Sequence, residues 1–237
     1  MKTVLVTGSS KGIGASTIKE FASNNYNVVI NYNTDYESAN KLKKYIEENY
    51  KVGALIIKCD ISNEKDVNNM ITEILNMFGN IDVLINNASI ALDSEILDKT
   101  KDEFMRVLEV NVVGTFLVAK EVLKRTKVST IINVSSTDSV DTYNELNIDY
   151  SVSKAGINLL TKTFALHYKD IKVCAVLPNF VDTESIRGMD STYLKEEMNR
   201  INQKELIDSS TVAKKIYEIV LNDDIKTGSL IRIDGEE

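Results

Sequence analysis

The sequence is poor in the residues that staple, break or ligate a chain. Its 237 residues include one proline, Pro178, two cysteines, one histidine and no tryptophan. No Pro/Gly/Ser linker, low-complexity tract or internal repeat divides it, so residues 1–237 read as one domain. Cys59 ("LIIKCD") and Cys174 ("KVCAVL") sit inside apolar runs. Without disulfide or zinc spacing they read as small buried hydrophobes. His167 has no second histidine for a zinc site and falls late in a helical pattern, so neither a metal site nor a Ser-His triad is expected. No stretch approaches the roughly 18 apolar residues of a membrane span. The opening "MKTVLVT" is too short for a signal-peptide core, which leaves the cytoplasm as the expected location. The formal net charge of −7 argues against nucleic acid and anionic membranes as partners.

What is present is an alternation. Seven short runs read as strands: 3–7, 27–32, 54–60, 82–88, 130–136, 172–178 and 229–234. Most are continuously apolar, the pattern of parallel strands covered on both faces. Helical patterns lie between them. In 62–78, Val67, Met70, Ile71, Ile74, Leu75 and Phe78 form one stripe, with Ser62 as the expected cap and Gly79 as the stop. Thr100 and Glu103 form a capping box, and Ser210 is the expected cap of "TVAKKIYEIVL". This βαβα order predicts an α/β, doubly wound Rossmann-type sheet of about seven parallel strands flanked by helices on both faces. Ligand crevices in such a sheet open at the carboxyl ends of the strands.

The first strand runs into "TGSSKGIG", with Gly8, Gly12 and Gly14. Glycines let the backbone turn tightly and approach a pyrophosphate, and a helix starting near Ala15 would aim free N–H groups at it. The spacing is neither G-x-G-x-x-G nor that of a P-loop, so the loop alone is a weak signal. A second signal is "YSVSK", with Tyr150 and Lys154 one helical turn apart. A free phenol with a pKa near 10 is a poor base at pH 7. An ammonium about 5 Å away favours the phenolate by roughly 3 kcal/mol at a dielectric near 20. The pair therefore reads as a tuned acid/base; the plainer reading is a solvated Tyr-Lys pair on a helix.

Taken together and in order, "TGSSKGIG", "NNAS", "INVSS" and "YSVSK" resemble the classical short-chain dehydrogenase/reductase family. The resemblance runs over nearly the whole chain, through "CDIS", "EVNVVGTF", "LPNFVDT" and "TGSLIRIDG". It implies an NAD(P)-dependent oxidoreductase acting on ketone or alcohol groups. Tyr150 would be the proton donor in reduction and the base in reverse. Lys154 would lower its pKa and hydrogen-bond the nicotinamide ribose. Ser136 would hold the substrate carbonyl, and Asn111 a water linking Lys154 to solvent. The Ser136–Tyr150 interval is one residue longer than the family's usual one, which leaves Ser135 and Thr137 as lesser candidates. The resemblance further implies cofactor contacts at Gly8, Ser10, Lys11, Gly12, Ile13, Gly14, Asp60, Ile61, Asn87, Ala88, Tyr150, Lys154, Pro178, Val181 and Thr183. Ser89 and Asn179 stand where the family usually has glycine. Asn179 is a residue that tolerates positive φ.

NAD preference would call for an acid at the end of the second strand, on the ribose 2′-hydroxyl. The chain reads "INYNT" there, and Asp35 comes later. With Lys11 for charge and Asn33 and Thr34 as donors, NADP(H) is the expected cofactor. Residues 184–206 read as a substrate lid or as ordinary surface helices. The overall type resembles bacterial 3-oxoacyl-acyl-carrier-protein reductases, which implies a small-molecule or carrier-bound carbonyl substrate such as a 3-oxoacyl thioester. Lys120, Lys124, Arg125 and Lys127 could dock an acidic carrier, or simply suit a helix C-terminus. The closing "DGEE" lacks the second glycine expected of that enzyme type. The alternative is a dehydrogenase of a small alcohol, sugar or polyol. A non-catalytic nucleotide sensor or scaffold is the third reading, and the complete set Asn111, Ser136, Tyr150 and Lys154 argues against it. The resemblance also implies a homotetramer or homodimer formed through the helices near 100–125 and 150–168.

Overall fold

Strand β1 (Thr3–Val6) is buried at every position, and its residues alternate between two apolar layers. Val4 and Val6 enter one cluster, Leu5 the other. The same division holds in β2 (Asn27–Tyr32), with Val28 and Ile30 on one face and Val29 on the opposite one. Strands covered on both sides need continuous hydrophobicity, which is why these runs do not alternate with polar residues.

The computed structural model describes residues 1–234, so the question raised by the second glycine after Asp234 lies outside the described residues. The remaining strands of the main sheet are β3 (Ala54–Lys58), β4 (Val83–Asn86), β5 (Thr130–Val134), β6 (Lys172–Pro178) and β9 (Leu230–Ile233). Between β6 and β9 lie two two-residue strands, β7 (Val181–Asp182) and β8 (Ile207–Asp208). The seven-stranded sheet runs β3-β2-β1-β4-β5-β6-β9, all neighbours parallel. The winding reverses between β1 and β4, the switch point where a crevice opens beyond the strand ends. The expected doubly wound α/β sheet is what forms. Several strands end one or two residues sooner than their apolar runs, because Thr7, Asn87 and Ser136 already belong to the loops over the crevice. The separate parallel ladder β7–β8 is too short to read from sequence.

One face of the sheet carries α1 (Gly12–Ser23), α2 (Tyr36–Asn49) and α9 (Ser209–Leu221). Phe21, Tyr26 and Tyr217 pack edge to face there. The other face carries α3 (Glu64–Phe78), α4 (Lys101–Leu108), α5 (Thr115–Arg125) and α6 (Ile148–His167). Two short helices, α7 (Glu184–Arg187) and α8 (Ser191–Arg200), span most of the expected lid. Three boundaries differ from expectation. Asn63, not Ser62, caps α3, because Ser62 turns back to bond Asp60. Asp208, not Ser210, caps α9 by accepting from the Ser210 N–H. Helix α1 begins at Gly12 rather than Ala15. The Thr100–Glu103 capping box forms as expected. Between α4 and α5 the helix widens into a π-turn over Glu109–Gly114 that contains Asn111, a distortion common at functional sites. Among the described residues no helix is long and apolar enough to cross a membrane.

Candidate active site

The glycine loop is shaped by what lies beneath it. Gly8 has φ +59, and a Cβ there would stand 2.7 Å from the Ala88 Cα. A Cβ on Gly14 would meet the Asn87 side chain and the Ser9 backbone at 2.7 Å. Asn87 laces the crossing together: its side-chain amide donates to the Thr7 and Gly8 carbonyls at 2.9 Å. The Asn31 Oδ1 accepts from the Gly8 N–H at 2.9 Å. No side chain caps α1 and no acid occupies its first turn. Its amino-terminal N–H groups therefore remain available to an anion. These features fit the pyrophosphate of a dinucleotide.

A groove of about 590 Å³ extends from this loop. Gly8, Lys11, Gly12, Ile13, Asn33, Asp60, Ile61, Asn87, Ala88 and Thr183 all line it. Gly14 lies below the loop, and Ser10 and Thr34 do not line the groove. Arg106 was not legible beforehand; it reaches from α4 to within 3.3 Å of Asp60. Lys11 is not a free cation. It bridges Asp35 and Glu184, both at 2.8 Å, joining the glycine loop, the start of α2 and the start of α7. The Lys11 hydrogen bond, helped by the Ser38 N–H, holds the Asp35 carboxyl down at about 2.

A second cavity, of about 270 Å³, adjoins the groove. Ser136, Tyr150, Lys154, Pro178, Val181 and Thr183 line it, so residues far apart in sequence meet here. Lys154 is 1% exposed. Its ammonium donates to the Val134 carbonyl at 2.8 Å and lies 5.1 Å from the centre of the Tyr150 ring. The expected spacing is therefore present, but its electrostatic effect differs from expectation. Burial, reinforced by the Asp138 charge, raises the Tyr150 phenol above its ordinary value. Burial pushes Lys154 down to about 7, against the pull of Asp138. Desolvation dominates at both groups because both are inside. The neighbouring Ser136 hydroxyl works the other way.

The other serine candidate is otherwise occupied. Ser135 donates to the Lys154 carbonyl at 3.2 Å. Thr137 donates to the Asn179 side chain at 2.5 Å, and Asn179 needs no positive φ. Asn111 is fully buried and lines neither cavity. Its side chain accepts from the Ile90 N–H at 2.8 Å and donates to the Ile90 carbonyl and the Ser153 hydroxyl, each at 2.9 Å. It thus pins the "NNAS" loop to the helix that carries Tyr150, instead of offering its side chain to water.

Asp138, Asn144 and Asn147 also line the cavity, and sequence reasoning missed them. The available signal was position: all three lie in the loop that joins Ser136 to Tyr150. The expected basic patch is partly engaged by α3. Lys120 pairs with Glu64 at 2.6 Å, and Arg125 donates to Asn68 and Thr72 of α3. The Lys127 N–H bonds Asn80, so the end of α5 lies near the starts of β4 and β5. Lys127 thus lies at the amino ends of the strands, whereas Lys120 reaches the start of α3, which follows the carboxyl end of β3. Both cysteines are buried and free, and burial pushes the Cys59 thiol up to about 12.

Residues 2–193 match the family model described as short chain dehydrogenase. Glucose 1-dehydrogenase 2 of Bacillus subtilis is 32% identical over 243 residues, covering 99% of this chain and 93% of that protein. A 3-oxoacyl-acyl-carrier-protein reductase of Staphylococcus epidermidis is 30% identical over 241 residues, covering 99% and 98%. A dehydrogenase/reductase from Sinorhizobium meliloti, solved by crystallography, superposes with a TM-score of 0.90 at 26% identity, covering 99% of this chain and 94% of that one.

Proposed function

The chain belongs to the short chain dehydrogenase family, and from that premise we propose a reversible carbonyl reductase that prefers NADP(H). It is an NAD(P)-dependent oxidoreductase acting on carbonyl or alcohol groups. One observation carries the mechanism: Tyr150, Lys154 and Ser136 share the wall of a cavity that adjoins the glycine-loop groove. When bound, the nicotinamide cofactor supplies or accepts the hydride. Tyr150 holds the proton at its phenol oxygen. Its raised proton affinity keeps the phenol protonated at neutral pH, and a developing alkoxide is the stronger base that can take the proton. Ser136 steadies the same oxygen by a hydrogen bond. Lys154 sets the charge beneath the ring, and Asn111 keeps the 87–91 loop and α6 in register.

The cofactor preference rests on the end of β2. Asn31 stands there and turns inward to Gly8, so no carboxylate at that strand end repels a 2′-phosphate. Lys11 and Asn33 line the groove, and Lys11 would exchange Asp35 and Glu184 for the phosphate. The cytoplasm and a homodimer or homotetramer complete this reading.

Two substrate classes stand. The name of the Staphylococcus relative supports a 3-oxoacyl thioester. The polar wall at Asp138 favours a small hydroxylated compound, and Lys120 and Arg125 are already engaged by α3. Titration of the protein with NADPH and NADH, followed by fluorescence, tests the cofactor assignment. The expected result is tighter NADPH binding that falls about tenfold in Lys11→Ala, the loss of one exposed charge contact. Tyr150→Phe should keep that binding and lose at least about 100-fold in kcat. Equal affinity for both cofactors would remove the NADP(H) assignment, and full activity in Tyr150→Phe would remove the mechanism.

A further inference from the structure

The substrate cavity contains a carboxylate that the reaction above does not use. Asp138 lies in the 3-10 turn Thr137–Ser139, directly after Ser136. It lines the cavity beside Tyr150, and its charge acts on both Tyr150 and Lys154. Only one of its oxygens is engaged: Thr142 donates to Oδ1 at 2.5 Å. Among the described residues no cation forms an ion pair with it. Arg200, whose charge is felt at Asp138, is bonded to Glu197 and to the Tyr143 carbonyl. The cavity therefore carries one carboxylate oxygen that lacks a donor.

Such a wall selects a ligand that brings donors. An acyl tail would strip water from Asp138 and return no hydrogen bond, at the full desolvation penalty. An ammonium group would satisfy the carboxylate but would face the Lys154 ammonium across the same small cavity. A hydroxyl donates without adding charge. We propose that Asp138 is the specificity residue of this site, and that the substrate is a small carbonyl compound bearing a hydroxyl group on the neighbouring carbon, which donates to the free Asp138 oxygen. The assignment rests on the carbonyl–alcohol reading above and names its substrate class.

The test compares matched carbonyls with the full chain and either cofactor. Acetoin and 2-butanone differ by one hydroxyl. Glyceraldehyde, aminoacetone and acetoacetyl-coenzyme A complete the panel. The expected result is a kcat/KM for acetoin about 100-fold above that for 2-butanone, as for a hydrogen bond to a charged group. That ratio should collapse towards one in Asp138→Leu. Asp138→Asn keeps an acceptor for Thr142 while losing the charge, so it guards against simple loss of the fold; it should give an intermediate ratio. Melting temperature and cofactor titration report the folding of both variants. A ratio that is the same in the wild type and both variants overturns the proposal. So does faster turnover of aminoacetone or acetoacetyl-coenzyme A than of either hydroxylated compound. Cofactor binding without turnover of any of the five overturns the oxidoreductase reading itself, and this assignment with it.

Discussion

Lys154 is a charged side chain with almost no water around it, and its cost can be measured. Its ordinary value of 10.5 describes the unfolded chain; in the folded chain it falls to about 7. Below pH 7 both states hold the proton, and the whole desolvation penalty weighs on the folded state. Between about 7 and 10.5 the unfolded state binds the extra proton, so this contribution to stability rises with pH. Lys154→Met should therefore raise the melting temperature by several degrees at pH 6, and the gain should shrink towards pH 10, while activity is lost. A gain independent of pH would mean that the ammonium is solvated. At this scale the sequence was informative about identity and less so about state. The spacing of Tyr150 and Lys154 on one helix gave their proximity. It could not give their burial, which depends on β5, β6 and the lid, and burial reverses the expected sign at the phenol. Asp138 went unread for a related reason: nothing in "TDSVDT" shows that its side chain enters the cavity rather than solvent.

Elements are joined around the site by a second pair of buried charges. Lys99 precedes α4 and Asp149 lies in the first turn of α6. Their side chains are 3% and 0% exposed and approach to 3.1 Å, an ion pair without hydrogen-bond alignment. Lys99 also donates to the Leu92 carbonyl, and Asp149 Oδ1 accepts from the Tyr150 N–H at 2.9 Å. The pair thus ties the loop after β4 to the helix that presents Tyr150. Removing one partner strands a buried charge and should cost about 3–5 kcal/mol. In denaturant unfolding, Lys99→Met and Asp149→Leu should each lose roughly that much, and the double variant should recover most of it. The kcat should stay low in the double variant, because the apolar pair cannot hold the Leu92 carbonyl. Recovery of kcat together with stability would reduce the pair to packing. The strands, their parallel order and the Thr100–Glu103 box were legible because each depends on local pattern. The Lys99–Asp149 bridge joins positions 50 residues apart in sequence, and no local pattern marks it. The caps of α3 and α9 were misread by one and two residues, because several small polar side chains in each loop could accept the same N–H groups.

The whole molecule leaves one apolar surface unexplained by its own core. Val113 and Phe116 on the π-turn and α5 are 44% and 40% exposed, and Val152, Leu159 and Leu166 on α6 are 45%, 67% and 71% exposed. Phe116 stacks on Phe164, which connects the two helices across this surface. Isolated exposed hydrophobes are ordinary, but a patch along two adjacent helices is characteristic of an interface. The proposed homo-oligomer would place a second copy of the chain against it. Helices that present the same face can pack about a two-fold axis, each burying the other's stripe. Light scattering should give at least twice the 26.5 kDa chain mass. Leu159→Lys with Phe116→Asp should shift the population towards monomer, because each places a charge where the partner's apolar side chains would lie. The same double variant should also lower the melting temperature of a dilute sample by removing the stabilisation that association confers. The concentration dependence of melting would distinguish this from damage within the fold. A wild-type protein that scatters as a monomer at every concentration would show that the α5–α6 face meets only water.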